Sequence, residues 1–316
     1  MDDDYPVELS PPSLEPYRHG NIGIDFVTTF DSGRSGPHVT IVALTHGNEI
    51  CGAIALDFLF REGVRPAKGK LTLGFANVAA YNSFDAKKPT ASRFIDEDFN
   101  RVWAEDVLDG ARQSAELTRA RQLRPLIDTV DYLLDIHSMQ HKTEPLGLCG
   151  PLRKGRDFAL GIGVPPIIVA DHGHTAGKRL RDYRFFGAES DPRNAYLVEC
   201  GQHWEKASAD VAIGSCLRFL RHCDAVAPSF LARYLPADPP PKPRVIEVTE
   251  AVTVASDDFR FVDDYRGLEV IPERGTEIAV DGSRPVLSPY DNCVLIMPSK
   301  RLRKGLTAVR LGRYVA

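Results

Sequence analysis

The chain lacks the features of a membrane protein and of a nucleic-acid-binding protein. No apolar run in its 316 residues approaches the length needed to cross a bilayer, and no apolar segment of a secretory signal follows the acidic first residues. Basic residues form no long run, and 39 of them stand against 43 acidic residues, so the net charge is -4. These absences favour a cytoplasmic protein that has neither nucleic acid nor membrane as a partner.

Closely spaced cysteine pairs are also missing. The six cysteines are scattered, and none forms a C-x-x-C pair, which is typical of reduced core residues in an intracellular chain. The sequence does have the composition of an ordinary globular protein, with 43% hydrophobic and 26% charged residues. Its length suits one large α/β domain and a smaller module.

Buried strand patterns alternate with helical patterns through the first two thirds of the chain. The predicted strands are 38–44, 71–77, 131–136, 166–170 and 195–198, and the predicted helices are 50–60, 114–129 and 206–223. This alternation predicts an α/β fold with a mixed central sheet and helices on both faces. We expect residues 1–234 to form this catalytic domain.

The composition changes after residue 234. Residues 235–244 form a proline-rich linker, and helical patterns nearly vanish beyond it. Short strands are predicted at 245–254, 267–271, 277–280, 293–297 and 307–311. Residues 245–316 are therefore expected to form a small all-β domain.

Chemically reactive side chains occur where predicted strands end. His46 and Glu49 follow the first strand, His137 follows the third, and Glu199 closes the fifth. Functional groups of α/β proteins gather at these strand ends. Two histidines and a carboxylate with an open fourth position form a catalytic zinc site, in which the metal lowers the pKa of its water towards roughly 7. Glu199 is then placed to take and return the proton.

A charged stretch between the second strand and the next helix carries further candidates. Arg101 offers a bidentate fork and Asn100 an amide, which suit a substrate carboxylate. Asp98 can accept a hydrogen bond from the second ring nitrogen of His46, which is the usual support of a zinc histidine. Asp135 competes for a similar role.

Four motifs occur together in an order and spacing that are typical of one family. They are His46-Gly47-Asn48-Glu49, Arg93 seven residues before Asn100-Arg101, Asp135-Ile136-His137, and Glu199-Cys200-Gly201. Over residues 20–225 the chain therefore resembles the succinylglutamate desuccinylase and aspartoacylase family. That family is a branch of the zinc carboxypeptidase fold.

The resemblance implies a zinc-dependent hydrolase that cleaves the amide bond of a small N-acyl amino acid. One zinc ion per subunit would be held by His46, Glu49 and His137. Glu199 would act as general base and acid. Arg93 would polarise the scissile carbonyl and stabilise the oxyanion.

Recognition of the acyl group is the part that the motifs leave open. By the resemblance, Asn100 and Arg101 would hold the α-carboxylate of the substrate. Aspartoacylases use a further arginine, ahead of the catalytic glutamate, for the distal carboxylate of the acyl group. Here Arg184 and Arg193 lie upstream of Glu199, and neither aligns with that arginine. The acyl group is therefore acetyl, succinyl or similar.

The C-terminal residues resemble a second kind of module. Residues 267–282, 287–294 and 304–305 are similar to a biotinyl/lipoyl-like barrel, but the Met-Lys-Met hairpin used for attachment is absent. The module is therefore expected to be a lid or a surface for homo-oligomers, without a carried cofactor.

Two other functions remain alternatives. A metallocarboxypeptidase would use the same metal site on peptides, although a catalytic part of about 220 residues is short for it. A metal-binding or ligand-sensing protein without turnover would have no use for a general base such as Glu199.

Overall fold

The computed structural model of the chain describes residues 5–173 and 176–315. Its strands are β1 (Val27–Asp31), β2 (His38–Ala43), β3 (Lys70–Phe75), β4 (Tyr132–Met139), β5 (Leu146–Leu148), β6 (Ile167–Ala170), β7 (Asn194–Gln202), β8 (Arg244–Thr253), β9 (Phe259–Phe261), β10 (Val270–Ile271), β11 (Glu277–Asp281), β12 (Arg284–Leu287), β13 (Cys293–Ile296) and β14 (Thr307–Val315).

The α-helices lie mostly in the first two thirds of the chain. They are α1 (Ile50–Arg61), α2 (Val78–Asn82), α3 (Glu105–Asp109), α4 (Ala115–Ile127), α5 (Arg153–Ile162), α6 (Lys206–His222) and α7 (Pro228–Leu231). Short 3-10 turns include Phe99–Arg101 and Leu180–Asp182. Within the described ranges, no helix is long and apolar enough to span a membrane.

Eleven strands of the described chain form one mixed sheet, in the order β1-β3-β2-β4-β7-β5-β6-β8-β14-β13-β10. The central pairs β3–β2, β2–β4 and β4–β7 are parallel, whereas β5 runs antiparallel to β7. Successive residues of β2 point to opposite faces, so Ile41 joins one apolar cluster and Val42 another. The first cluster includes α1, α5 and α6, and the second includes α4. The predicted mixed sheet with helices on both faces is confirmed.

The helix that follows β2 shows how local sequence determines the packing. Because α1 is apolar on most sides, it can be buried between the sheet and α6. Gly52 lets it approach the sheet closely, since a Cβ at this position would lie 2.9 Å from the Cβ of Ala43. On the other face, α4 begins after Ser114, whose hydroxyl accepts a hydrogen bond from the Leu117 amide at 3.0 Å.

The C-terminal strands extend the central sheet. β8 pairs in parallel with β6, and Ile246 of β8 packs in one apolar cluster with Ile167 and Val169 of β6. β14, β13 and β10 then follow β8. This pairing gives hydrogen-bond partners to the outer edge of β6, which would otherwise be exposed. A second, antiparallel sheet consists of β12, β11 and β9.

Six elements before β8 were not predicted from the sequence. β1 and β5 are short strands, α2, α3 and α7 are helices of at most five residues, and α5 has a polar sequence that shows no apolar run. β9 and β12 were missed in the C-terminal part for the same reason, because each has at most four residues. The predicted positions of the other strands agree with the structure to within a few residues, except that β4, β7 and β14 run longer and β10 is reduced to two residues.

Candidate metal centre and active site

The first two candidate ligands lie in the turn between β2 and α1. β2 is buried along its whole length, and the next residue, Leu44, has a left-handed backbone conformation with φ of 61°, which leads the chain into His46 and Glu49. Gly47 allows another segment to approach this turn, because a Cβ there would lie 2.4 Å from the carbonyl carbon of Ala80. The turn therefore requires glycine at this position.

The three candidate ligands meet at one buried point. Glu49 lies between two imidazoles: its Oε1 is 2.7 Å from Nδ1 of His46, and its Oε2 is 2.9 Å from Nδ1 of His137. One ligand atom from each of the three residues lies within 4.8 Å of the other two. Burial favours the protonated carboxyl, but the two imidazoles outweigh it and hold the pKa of Glu49 well below its usual value.

Each histidine has an aspartate beside its other ring nitrogen. Nε2 of His46 is hydrogen-bonded to Oδ1 of Asp98 at 2.9 Å. Nε2 of His137 lies 2.9 Å from Oδ2 of Asp135, without the alignment of a hydrogen bond, and Oδ1 of Asp135 accepts a hydrogen bond from the Thr45 hydroxyl at 2.8 Å. The two aspartates therefore do not compete for one role, because each lies beside a different histidine.

This donor set can hold a metal ion. Both histidines present Nδ1 to the shared carboxylate and keep an acidic neighbour on Nε2, which is the usual arrangement of histidines that bind a metal. Two imidazole nitrogens and one carboxylate oxygen are also donors that transition metals accept. The residues present therefore fit the ion that the resemblance implies.

Arg93 lies directly against the three candidate ligands. Its Nη1 donates to Oε1 of Glu49 at 3.2 Å, and its Nη2 donates to Oδ2 of Asp98 at 3.2 Å. The backbone carbonyl of Arg93 accepts a hydrogen bond from the Gly47 amide at 3.1 Å, which fixes the arginine loop to the ligand turn. A guanidinium held in this way can donate to an oxygen beside the metal position.

Glu199 lies on β7, in register with His137 on the neighbouring strand β4. Both residues were expected after their strands end, but β4 and β7 run longer than predicted and include them. The side chain of Glu199 is buried, and its Oε2 has no hydrogen-bond partner among the described residues. Burial raises the pKa of Glu199 to about 8, against the opposing effect of His137 and Arg93. Such a carboxyl can exchange a proton near neutral pH.

These groups line one cavity of about 680 Å³, which also includes Asn100 and Arg101. The side-chain oxygen of Asn100 accepts a hydrogen bond from the Leu180 amide at 2.9 Å, which leaves its NH₂ group available. Arg101 donates to the Asn100 carbonyl at 2.7 Å and lies 4.0 Å from Asp98. Burial lowers the pKa of Arg101 to about 10, although Asp98 opposes this effect. An anion in the cavity would stabilise this guanidinium.

The C-terminal strands complete the cavity. The chain between β13 and β14 contributes lining residues, and the Lys300 amide attaches this segment to Gln140 through a hydrogen bond of 3.0 Å. Within the described part of the chain, seven arginines line the cavity: Arg93, Arg101, Arg179, Arg266, Arg301, Arg303 and Arg310. The lining acids are three, namely Glu49, Asp98 and Glu199. The cavity is therefore suited to an anionic ligand.

Two of these arginines share a buried carboxylate behind the cavity wall. Arg179 donates to both oxygens of Asp171, at 2.8 and 2.9 Å, and the Nε of Arg310 lies 3.4 Å from the same carboxylate. Arg310 is on β14, so this cluster connects the C-terminal part to the catalytic part. Neither arginine was predicted from the sequence as a site residue. Their only signal was an unusual density of arginine in residues 179–184 and 301–313.

Arg184 and Arg193 do not reach the cavity. Arg184 is half exposed, and its guanidinium lies 3.6 Å from both Glu105 and Asp128. Arg193 is paired with Asp191 at 2.6 Å. The structure thus does not support a substrate-binding role for either arginine, because each is already held by acidic residues outside the site.

Ser138 and His203, which were also not predicted from the sequence, form a hydrogen-bonded pair in the cavity wall. The Ser138 hydroxyl lies 2.8 Å from Nδ1 of His203, and both residues are buried. The Ser138 amide donates to Oε2 of Glu49 at 3.3 Å, so the pair is adjacent to the candidate ligands. Burial lowers the pKa of His203 to about 3, which keeps its imidazole neutral.

The geometry of this site agrees with a comparison against protein families. Residues 35–154 match the family model described as the succinylglutamate desuccinylase/aspartoacylase catalytic domain. The resemblance to this family that the motifs indicated is confirmed over these residues. The matched residues include the candidate metal ligands, Arg93, Asn100 and Arg101, whereas Glu199 lies beyond them. None of the curated proteins matches the chain.

Solved structures share the fold over nearly the whole chain. A succinylglutamate desuccinylase from Vibrio cholerae is 18% identical, with a TM-score of 0.69 over 92% of this chain and 86% of that one. A succinylglutamate desuccinylase/aspartoacylase from Rhodobacter sphaeroides is 16% identical, with a TM-score of 0.65 over 92% and 89%. The ectoine utilization protein EutE (DoeB) from Ruegeria pomeroyi is 17% identical, with a TM-score of 0.63 over 90% and 88%. These structures share the fold of this chain over 90–92% of its length, which includes C-terminal strands.

Proposed function

We propose that this protein is a zinc-dependent deacylase that hydrolyses the amide bond of a small N-acyl amino acid. The observation that carries the proposal is the position of Glu199, a buried carboxyl beside three candidate ligands that suit zinc. A family of deacylases supports the reaction type. The chain would release a free amino acid and a short carboxylic acid.

The metal would be held by His46, Glu49 and His137. When bound, it would supply a Lewis acid that polarises the scissile carbonyl and lowers the pKa of water. The chain's own residues perform the proton transfers. Glu199 would take the proton of the attacking water on Oε2, the oxygen without a hydrogen-bond partner among the described residues, and would return it to the leaving amine. Its pKa of about 8 suits both steps.

Arg93 would stabilise the negative charge that develops on the carbonyl oxygen. Its guanidinium is held by Glu49 and Asp98, at 3.2 Å from each, so little reorganisation is required when the charge forms. Fixed donors of this kind lower the activation barrier of comparable reactions by about 3 kcal/mol. Asp98 and Asp135 would orient the two histidines.

The amino-acid part of the substrate would lie at the arginine-rich end of the cavity. Asn100 would donate from its NH₂ group, and Arg101 would bind the α-carboxylate. Arg179 and Arg310 are close enough to affect the pKa of Arg101. We assign to them the recognition of any further carboxylate, in place of Arg184 and Arg193. A substrate carboxylate would offset the repulsion among these buried guanidinium groups.

The two alternatives have less support. A peptidase needs an open groove, whereas here the chain between β13 and β14 lines the cavity and leaves about 680 Å³. A non-catalytic binder would not need the buried Glu199, because an uncompensated carboxyl is costly to bury. An N-acyl amino acid is therefore the substrate class that best matches the cavity.

The variant Glu199→Gln tests the proposal. We expect zinc content and thermal stability to stay near wild type while hydrolysis of a panel of N-acetyl and N-succinyl amino acids falls by at least about a hundredfold. Glu189→Gln, at an exposed position of the preceding loop, is the matched control. Unchanged turnover in Glu199→Gln, or cleavage of peptides without cleavage of N-acyl amino acids, would overturn the proposal.

A further inference from the structure

The Ser138–His203 pair occupies a part of the cavity wall that the proposed mechanism does not use. Both side chains line the cavity together with the candidate metal ligands. Nδ1 of His203 is engaged by the Ser138 hydroxyl at 2.8 Å. Nε2 makes no hydrogen bond to the described residues, yet it is not among their fully buried polar atoms. This nitrogen therefore faces the cavity.

The hydrogen bond to Ser138 determines which ring nitrogen carries the proton. Among the described residues, His203 Nδ1 is the only hydrogen-bond partner of the Ser138 hydroxyl. If that hydroxyl donates to Nδ1, its proton is used, and the imidazole proton must be on Nε2. In the other tautomer the buried hydroxyl proton would have no acceptor among the described residues, which is costly. The arrangement favours a His203 that donates from Nε2 into the cavity.

A purely structural role does not account for this side chain. The backbone amide of His203 already donates to the Met139 carbonyl at 2.9 Å, and this bond joins the segment after β7 to β4 without the imidazole. The fixed imidazole is an additional feature, and it presents a polar atom to the cavity. Such an atom needs a hydrogen-bond partner when a ligand displaces the water.

The surroundings of His203 indicate which part of a substrate it would meet. Ser138, the partner of His203, donates through its amide to Glu49 at 3.3 Å. Arg93 donates to Glu49 on one side and to Asp98 on the other, at 3.2 Å each, and Arg101 lies 4.0 Å from Asp98. These contacts connect His203 to the Glu49 side of Arg93 and Arg101 to its Asp98 side. His203 is therefore remote from the proposed α-carboxylate end, on the side where the acyl group belongs.

We infer that His203 is a further catalytic residue, which donates a hydrogen bond from Nε2–H to the carbonyl oxygen of the substrate's acyl group, and that Ser138 is the positioning residue that sets its tautomer. The inference rests on the proposed function. The carbonyl oxygen is the only hydrogen-bond acceptor that an acetyl group offers. A second fixed donor beside Arg93 would share the charge that this oxygen acquires in the transition state.

Kinetics of position-specific variants test the catalytic role. His203→Phe removes the donor while keeping a ring, and we expect kcat/KM for N-acetyl amino acids to fall by about a hundredfold, with most of the loss in kcat. His203→Gln keeps an N–H group and should recover part of the rate. His19→Phe, at an exposed position, is the control. A His203→Phe enzyme within threefold of wild type, with normal zinc content, would overturn the inference.

The tautomer is measured independently of turnover. We expect ¹⁵N NMR of histidine-labelled protein at pH 7.5 to show His203 protonated on Nε2, assigned by the signal lost in His203→Gln. Ser138→Ala should mix the tautomers, and Ser138→Thr should restore the Nε2–H form. A proton on Nδ1 in the wild type would overturn the inference.

Failure of the proposed function would be recognised separately. If the wild type hydrolyses no N-acyl amino acid, the deacylase assignment fails. Titration of the labelled protein with N-acetylglycine then decides the inference on His203. A saturable shift of its Nε2–H signal supports the contact, and an unchanged signal in the presence of binding detected by calorimetry overturns it.

Discussion

Replacing Asp171 by asparagine removes the carboxylate that joins the C-terminal strand β14 to the cavity wall. Asp171 is fully buried, and Arg179 donates to both of its oxygens at 2.8 and 2.9 Å. The Nε of Arg310 lies 3.4 Å away. Asp171→Asn keeps the size of the side chain but leaves two buried guanidinium groups with less compensation. Asp182 still accepts from Arg179 at 2.5 Å, so the loss is partial.

The expected loss of stability follows from this geometry. Breaking a buried ion pair by removing one partner costs about 3–5 kcal/mol, and the remaining Asp182 places the expectation near the lower value. An unfolding entropy of about 2.1 cal/mol/K per residue gives about 0.66 kcal/mol/K for a chain of this length. Asp171→Asn should therefore lower Tm by about 5 °C.

The assay is differential scanning calorimetry of the variant beside a matched control. Asp157→Asn removes a carboxylate from an exposed ion pair, in which Asp157 is 61% exposed and 3.4 Å from Arg153. Exposed pairs contribute about 0–1 kcal/mol, so Tm of this control should change by about 1.5 °C at most. Equal changes of Tm in both variants would refute the reasoning that the Asp171 cluster stabilises the fold.

Two further predictions concern charge. Arg179 and its neighbours lower the pKa of Asp171 to about 2 despite burial, so its contribution to stability is complete above about pH 4 and is lost as the pH falls towards 2. The difference in Tm between wild type and Asp171→Asn should therefore narrow below pH 4; a constant difference from pH 5 to 2.5 would contradict this. Arg101→Met should raise KM for N-acyl amino acids by about tenfold or more, with little loss of Tm, whereas Arg184→Met should leave both unchanged. Equal KM values in these two variants would contradict the placement of the α-carboxylate.

The parts of the fold that the sequence predicted are those with a strong local pattern. β2 and α1 combine a continuous apolar run, a glycine turn and a buried helix. β5 has three residues, too few for a pattern to show. The pairing of β6 with β8 joins segments more than 70 residues apart, and no local pattern indicates it. The continuity of the sheet therefore became visible only in the structure.

The candidate site divides in the same way. The candidate metal ligands were predictable for two reasons. His46, Glu49 and His137 occur at the ends of recognisable strands, and only a few residue types can serve as ligands of a metal ion. Arg310 lies within a strand pattern, where an arginine is normally a solvated side chain. It faces Asp171 because β14 joins the central sheet, and the local sequence does not indicate this tertiary contact.

His203 shows a third reason for failure. In the sequence it follows a strand and precedes a helix, where a histidine is usually exposed. The hydrogen bond with Ser138 depends on β4 lying beside β7. Because the two residues are 65 positions apart, no spacing rule relates them.

The central claim is that His46, Glu49 and His137 hold a catalytic zinc ion. The most direct measurement is an anomalous difference map, recorded at the zinc absorption edge from crystals of active protein. We expect one peak at about 2.0–2.2 Å from the three ligand side chains. In His137→Ala, both this peak and the hydrolytic activity should be lost. Full hydrolytic activity in crystals without a peak at this position would contradict a catalytic zinc ion held by these residues.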